Sequence, residues 1–161
     1  MSHHHEARIR ELLSLCRTRG LSIGSAESLT GGLLGSTVTS VPGASDVYLG
    51  GIVAYSTEVK TSVLHVSSEA LGHGIVSENV AVAMAQGVQR LLPVDLALSC
   101  TGVAGPGPQD GVSEGTVWIC VASDYRYSSS LLSLKGSRQE IRDSTVEHLI
   151  ALAIVFLLEV S

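Results

Sequence analysis

Short apolar runs alternate with amphipathic stretches along the first hundred residues, which is the pattern of strands alternating with helices. Apolar residues recur every three to four positions over 6–18, so a helix is expected there. The runs 21–26 and 48–55 and the almost continuously apolar run 94–100 predict buried strands. This alternation indicates an α/β fold.

The rest of the chain completes the pattern. Further helices are predicted over 28–40, 57–64 and 78–92. Two strands over 115–123 and 126–134, joined by a tight turn, predict an antiparallel hairpin. Ser137 and Glu140 match a capping box, so a long final helix is expected from there to about Glu159. We therefore predict a single-domain three-layer α/β/α sandwich with a mixed, mostly parallel sheet and an antiparallel hairpin.

Composition limits the organisation of the chain. With 161 residues, of which 45% are hydrophobic and 16% charged, it suits one well-buried domain spanning 1–161. Residues 1–5, which include three histidines, are expected to be disordered or tag-like. A net charge of −5 argues against nucleic acid as a partner. The apolar run 149–158 is about half of the roughly 20 residues that a membrane span needs, so no membrane partner is expected.

Cysteine usage points to a reducing compartment. Cys16, Cys100 and Cys120 are odd in number and lack the spacing of metal ligands. We interpret them as reduced, buried thiols. No secretory leader is recognisable, so a cytoplasmic location is expected, and neither a metal site nor a cofactor is expected.

Two loops leave the ends of predicted buried strands, at 25–32 and 101–108. In open α/β sheets such loops form ligand crevices. Neither loop matches a phosphate-binding P-loop or a dinucleotide fingerprint. A serine in the first loop could place its hydroxyl near free N–H groups at a helix start, where oxyanions are stabilised. A simple helix cap explains the same residues equally well.

Nucleophilic catalysis by a hydroxyl group requires a base. His148 falls within the predicted final helix, where a structural or solvent-facing histidine is the simpler interpretation. Lys60 lies just after the strand that ends at Tyr55, against apolar neighbours that could lower the pKa of its ammonium group. Its spacing alone also fits an exposed helix lysine.

Five short segments, taken together and in order, indicate a family resemblance. They are Ser-Ala-Glu-Ser-Leu-Thr-Gly-Gly at 25–32, Val-Pro-Gly-Ala-Ser at 41–45, Ala-Tyr-Ser-Thr-Glu-Val-Lys at 54–60, Thr-Gly-Val-Ala-Gly-Pro at 101–106 and Gly-Thr-Val at 115–117. In these segments the chain resembles the CinA C-terminal domain family, whose stand-alone members are nicotinamide-nucleotide amidases. The resemblance runs from about Glu6 to Val155.

The resemblance implies an amidohydrolase that converts nicotinamide mononucleotide to nicotinate mononucleotide and ammonia without a metal. The family's serine nucleophile falls on Ser28, and its tyrosine and lysine partners fall on Tyr55 and Lys60. Lys60, or Tyr55 polarised by it, would take the proton of Ser28. Backbone N–H groups at the start of the Ser28 helix, or in the loop 101–105, would bind the oxyanion.

The nucleotide substrate is expected to contact both loops and the start of the final helix. The expected substrate-binding residues are Gly31, Gly32, Thr101, Gly102, Ala104, Gly105, Arg138 and Arg142. The two arginines stand four apart at a helix start, where the phosphate of the substrate would be favoured. A surface arginine pair is the alternative interpretation.

Two departures from the family pattern keep other functions open. Thr57 stands where family members commonly have Asn, and the segment 107–114 lacks their Glu-Lys-Pro-Val run. The alternatives are an amidase for a different carboxamide and a non-catalytic nucleotide-binding module. Apolar residues extend around more than one face of the final helix, so a homo-oligomer is also expected.

Overall fold

The computed structural model describes residues 3–159, which form a five-stranded sheet with helices on both faces. The strands are β1 (Ile23–Glu27), β2 (Tyr48–Val53), β3 (Leu96–Gly102), β4 (Thr116–Ala122) and β5 (Tyr127–Ser133). The helices are α1 (His3–Arg19), α2 (Leu33–Thr39), α3 (Thr57–Ser62), α4 (Ser68–Gly72), α5 (Glu78–Leu91) and α6 (Arg138–Leu158), with a short 3-10 helix at Ala44–Asp46.

The strand order β2-β1-β3-β4-β5 brings three strand ends together. β1 lies between β2 and β3 and is parallel to both, whereas β4 is antiparallel to β3 and to β5. Glu27, the last residue of β1, pairs with Val53 on one side and Cys100 on the other. The segments that follow β1, β2 and β3 therefore meet at one edge of the sheet, where ligand crevices form in such folds.

The two faces of the sheet carry separate apolar cores. On one face α1, α2 and α6 pack around residues such as Leu12, Leu34 and Leu149. On the other face α5 packs with α3 and α4 around residues such as Val80 and Met84. Helix α6 contacts both α1 and β4, so most of its apolar surface is buried within the fold. The predicted three-layer sandwich with a mixed sheet and an antiparallel hairpin is confirmed.

The first helix and a short fourth helix differ from the sequence-based expectation. Helix α1 begins at His3, so the expected disordered or tag-like start is helical from that residue, and the rest of that start lies outside the described residues. Helix α4 was not predicted; it is five residues long, and the Ser67 hydroxyl caps it by accepting the Ala70 N–H at 3.1 Å.

The chain after β1 makes a turn before it becomes helical. The predicted helix from residue 28 in fact begins at Leu33, and Ser28 lies in the preceding turn. Gly31 and Gly32 have φ values of 58° and 97°, a left-handed backbone that glycine adopts without steric cost. Ser28 is therefore held by a tight turn and not by a helix.

Candidate active site

A cleft of about 560 Å³ opens at the shared edge of β1, β2 and β3. Ser28 lies on its floor, after β1, and Lys60 and Tyr55 follow β2. The loop after β3 forms the opposite wall, and Arg138 reaches in from the start of α6. The further residues that line the cleft are Leu29, Ser56, Thr57, Gly74 to Val76, Thr101 to Asp110 and Val112.

Ser28 and Lys60 are hydrogen-bonded within this cleft. Lys60 Nζ donates to Ser28 Oγ at 2.9 Å and to the Ala54 carbonyl oxygen at 2.8 Å. The Ser56 hydroxyl caps α3 by accepting the Val59 N–H at 3.2 Å. The helix begins at Thr57, and the side chain of Lys60 is buried. Lys60 is only 1% exposed, so the exposed-lysine interpretation is wrong.

Burial lowers the pKa of Lys60 from 10.5 to about 8. Removal from water disfavours the ammonium form, and hydrogen bonds to the neutral oxygens of Ser28 and Ala54 compensate less than a carboxylate would. With this pKa, roughly a tenth of Lys60 is uncharged at pH 7. The uncharged amine is the form that can accept a proton from a hydroxyl group.

Glu27 binds the N–H groups at the start of α2. One oxygen, Oε2, accepts from Thr30 Oγ1 at 2.7 Å and from the N–H groups of Gly32 and Leu34 at 3.0 Å. The other oxygen, Oε1, accepts from the Gly35 N–H at 2.9 Å. These N–H groups are thus occupied by the protein's own carboxylate. The sequence-based expectation that they could bind an oxyanion is therefore not met.

Arg142 and the two turn glycines contact the protein's own backbone. Arg142 donates from Nε to the Leu29 carbonyl oxygen at 3.2 Å and from Nη2 to the Thr30 carbonyl oxygen at 2.7 Å. The Gly31 N–H donates to the Ser28 carbonyl oxygen, and the Gly32 N–H donates to Glu27. Arg142, Gly31 and Gly32 do not line the cleft, so the structure does not bring these three predicted substrate-binding residues to the site.

Tyr55 and Arg138 form a pair at the mouth of the cleft. Arg138 Nη2 donates to the Tyr55 hydroxyl at 2.8 Å, and its Nη1 donates to the Gly105 carbonyl oxygen at 2.6 Å. Tyr55 is 59% exposed. Its hydroxyl therefore contacts Arg138, not Ser28 or Lys60, and Arg138 links the loop after β2 to the loop after β3.

The loop after β3 contributes backbone and one hydroxyl to the cleft. Thr101 is buried and its Oγ1 donates to the Ile75 carbonyl oxygen at 3.0 Å, while Gly102, Ala104 and Gly105 line the cleft. Among residues 3–159, no acceptor is found for the N–H groups of Leu29, Ala104 and Gly105, which all line the cleft. An N–H group that faces a cleft without an acceptor can bind an oxyanion, so these groups are the candidates for that role.

No group of three or more histidine, cysteine or acidic residues within positions 3–159 is placed to hold a metal ion. Cys16, Cys100 and Cys120 are buried free cysteines. Burial raises the pKa values of their thiols to about 12, 11 and 12, respectively. Across the same part of the chain, no helix has the length and apolarity that crossing a membrane requires.

The chain is similar in sequence to a known protein family and to known proteins. A family model described as the CinA C-terminal domain matches residues 5–157. The chain is 46% identical over 149 residues to a competence-damage inducible protein of Halalkalibacterium halodurans, covering 90% of this chain and 35% of that protein. A protein of the same description from Limosilactobacillus fermentum is 44% identical over 146 residues, covering 89% and 35%. The chain spans about a third of the length of these curated relatives.

Solved structures share the fold over nearly the whole chain. The competence damage-inducible protein A of Klebsiella pneumoniae aligns with a TM-score of 0.93 and 28% identity, covering 98% of this chain and 99% of that chain. A competence-damaged protein (CinA) superfamily protein of Escherichia coli aligns with a TM-score of 0.89 and 26% identity, covering 98% and 93%.

Proposed function

Because the chain belongs to the CinA C-terminal domain family, we propose that it is an amidohydrolase that converts nicotinamide mononucleotide to nicotinate mononucleotide and ammonia. The observation that carries this proposal is the 2.9 Å hydrogen bond between Lys60 Nζ and Ser28 Oγ. A buried lysine whose pKa is lowered to about 8 is suited to activate a hydroxyl nucleophile.

In the first half of the reaction, Ser28 is acylated. The uncharged amine of Lys60 accepts the hydroxyl proton while Ser28 Oγ forms a bond to the carboxamide carbon. The N–H groups of Leu29 and Gly105 stabilise the negative oxygen of the tetrahedral intermediate. The carbon–nitrogen bond then breaks, the Lys60 ammonium returns a proton to the leaving group, and ammonia departs from a nicotinoyl ester of Ser28.

In the second half, water releases the acid. A water molecule attacks the ester carbon while Lys60 accepts one of its protons. Collapse of the intermediate breaks the bond to Ser28 Oγ, and Lys60 returns the proton to that oxygen. The enzyme is regenerated and the carboxylate product leaves. Each half-reaction uses Lys60 first as a base and then as an acid, and neither requires an electron transfer.

Recognition of the substrate phosphate is assigned to Arg138. It lines the cleft and is solvent-exposed, whereas Arg142 is engaged with two backbone carbonyl groups. Arg138 already donates to two neutral oxygens, those of Tyr55 and Gly105. A phosphate is a stronger acceptor for a guanidinium group than either of them.

A second candidate function is an amidase for a different carboxamide. The loop after Gly105 is the feature that supports this candidate. In that loop the Gly107 N–H donates to the Glu114 carboxylate at 2.6 Å, and Gln109 and Val112 exchange backbone hydrogen bonds at 2.9 Å. The Glu114 carboxylate thus holds a compact turn, and this turn places the acidic residue Asp110 in the lining of the cleft.

The test is to measure ammonia and acid product with a panel of carboxamides. The panel comprises nicotinamide mononucleotide, its nucleoside without phosphate, and nicotinamide itself. The proposal expects equimolar ammonia and nicotinate mononucleotide from the first compound, and weaker turnover of the other two. Preferred turnover of an unphosphorylated carboxamide would favour the second candidate.

A further inference from the structure

We propose that Glu27 and Arg142 are positioning residues for the reaction, which fix the Ser28 hydroxyl by holding its turn from opposite sides. This inference rests on the proposed function, because it concerns how the nucleophile of that reaction is oriented. Neither residue lines the cleft, so each would act through the backbone of the turn.

Glu27 binds the hydrogen-bond donors of the turn. Its carboxylate is only 2% exposed, and burial of a carboxylate is costly unless hydrogen bonds compensate. Here it accepts from Thr30 Oγ1 and from the N–H groups of Gly32, Leu34 and Gly35, at 2.7 to 3.0 Å. Hydrogen bonds to an ionised acceptor are about twice as strong as neutral ones. The turn after Ser28 is thus folded around this carboxylate.

Arg142 binds carbonyl oxygens of the same turn. Its planar guanidinium group contacts two consecutive carbonyl oxygens, those of Leu29 and Thr30, at 3.2 and 2.7 Å. A rigid fork that binds two adjacent carbonyl groups fixes the orientation of both peptide planes. The Gln139 side chain accepts from Arg142 Nη1 at 2.9 Å and so orients the guanidinium group on α6.

The two contacts together determine where the reactive atoms lie. Ser28 and Leu29 are the residues between Glu27 and the peptide groups that Arg142 binds. The Ser28 hydroxyl and the Leu29 N–H, the proposed nucleophile and oxyanion donor, therefore belong to one braced segment. A displacement of about 1 Å in such a constellation can lower a rate by about 10²-fold.

The experiment measures how fast Ser28 reacts with an alkyl fluorophosphonate. In this reaction Ser28 Oγ bonds to phosphorus, fluoride leaves, and Lys60 takes the proton, so the nicotinamide substrate is not needed. The test variants are Glu27→Gln and Arg142→Gln. Asp95→Asn is the matched control for the first, because Asp95 likewise accepts a backbone N–H and a hydroxyl, both of Ser22, at 2.7 Å. Arg126→Gln is the control for the second, because Arg126 donates to the Phe156 carbonyl oxygen near the far end of α6.

We expect the labelling rate to fall tenfold or more in both test variants and to change less than twofold in both controls. A positioning role lowers the plateau of the rate against pH and leaves the midpoint, which Lys60 sets, in place. All proteins are compared at a temperature where circular dichroism shows them folded, and Arg142→Gln alone decides the question if Glu27→Gln does not fold.

Labelling of the test variants at the wild-type rate, or equal losses in tests and controls, would overturn the positioning role. Absence of Ser28 labelling in the wild-type protein is a different result, since it would remove the nucleophile on which the proposed function itself rests.

Discussion

Lys60 Nζ donates a hydrogen bond to Ser28 Oγ at 2.9 Å, although the two residues are 32 positions apart in the chain. The contact follows from the sheet, because Ser28 comes directly after β1 and Lys60 lies on the helix that follows the neighbouring parallel strand β2. Burial of the Lys60 side chain lowers its pKa to about 8. Because both residues follow the ends of neighbouring strands, a hydroxyl group lies beside an amine with a lowered pKa.

The rate of amide hydrolysis should depend on pH through Lys60. Only the uncharged amine accepts the Ser28 proton, so kcat/KM should rise about tenfold per pH unit at low pH and level off above a midpoint near 8. A rate profile measured from pH 5.5 to 10 with a fixed substrate concentration below KM tests this. A rate that does not vary between pH 6 and 9 would show that Lys60 is not the base.

Lys60 should also make stability depend on pH in a defined window. Its pKa is about 8 when folded and 10.5 as the reference value, so between these values the unfolded chain binds one more proton and stability rises with pH. The gain over that window is on the order of 3 kcal/mol. The measurement is urea unfolding of the wild type and Lys60→Met at pH 7.5 and pH 10.5.

The difference between these two proteins isolates the lysine. Cys16 and Cys120 have raised pKa values and lower the stability of both proteins as pH rises above 9, so their effect cancels in the difference. The free energy of unfolding of the wild type, relative to Lys60→Met, should be larger at pH 10.5. An unchanged difference would mean that the lysine titrates normally.

Arg138 should determine the affinity for the phosphorylated substrate. Replacement by Gln removes the guanidinium group at the mouth of the cleft. The loss of charge-assisted hydrogen bonds worth about 1.5–3 kcal/mol raises KM roughly ten- to hundredfold. The same variant should handle an unphosphorylated carboxamide with little change in KM. Steady-state kinetics with both substrates measures this, and Tyr55→Phe shows how much of the effect comes from the lost contact to Tyr55. An equal rise in KM for both substrates would contradict the assignment.

The fold could be predicted from the sequence because it follows from local patterns. Ser28 and Lys60 could be singled out together because ordered motifs indicated the family resemblance. Alternating apolar runs predicted the strands and the hairpin, and the capping box at Ser137 and Glu140 placed the start of α6. The order of the strands in the sheet was not predictable, since strand pairing depends on contacts between residues far apart in the chain.

The contacts that surround Ser28 and the cleft could not be predicted, because they depend on the directions in which side chains point. Arg138 and Arg142 look equivalent in sequence, yet one lines the cleft and the other binds backbone carbonyl groups. The sequence did not predict the positioning role that we propose for Glu27. The available signal was an acidic residue at a strand end followed by a Gly-Gly pair, which lets the backbone fold around a carboxylate.

Gly115 should be indispensable for the fold. Its φ is +80°, and a Cβ atom there would overlap the Leu134 carbonyl oxygen. Gly115→Ala should therefore lower the free energy of unfolding by ~3 kcal/mol or more. Gly107 is the matched control, because it has a similar φ of +81° but open space around the position, so Gly107→Ala should cost only about 1 kcal/mol of backbone strain. Urea unfolding compares them; equal losses would mean that the contact with Leu134 is unimportant.

The central claim is that Ser28 is a nucleophile activated by Lys60. The measurement that tests it most directly is ammonia release from nicotinamide mononucleotide by the wild type, Ser28→Ala and Lys60→Met, each shown to be folded. We predict turnover by the wild type and a loss of at least 10³-fold in both variants, with substrate binding retained. Undiminished ammonia release by folded Ser28→Ala, or none by the folded wild type, would contradict it.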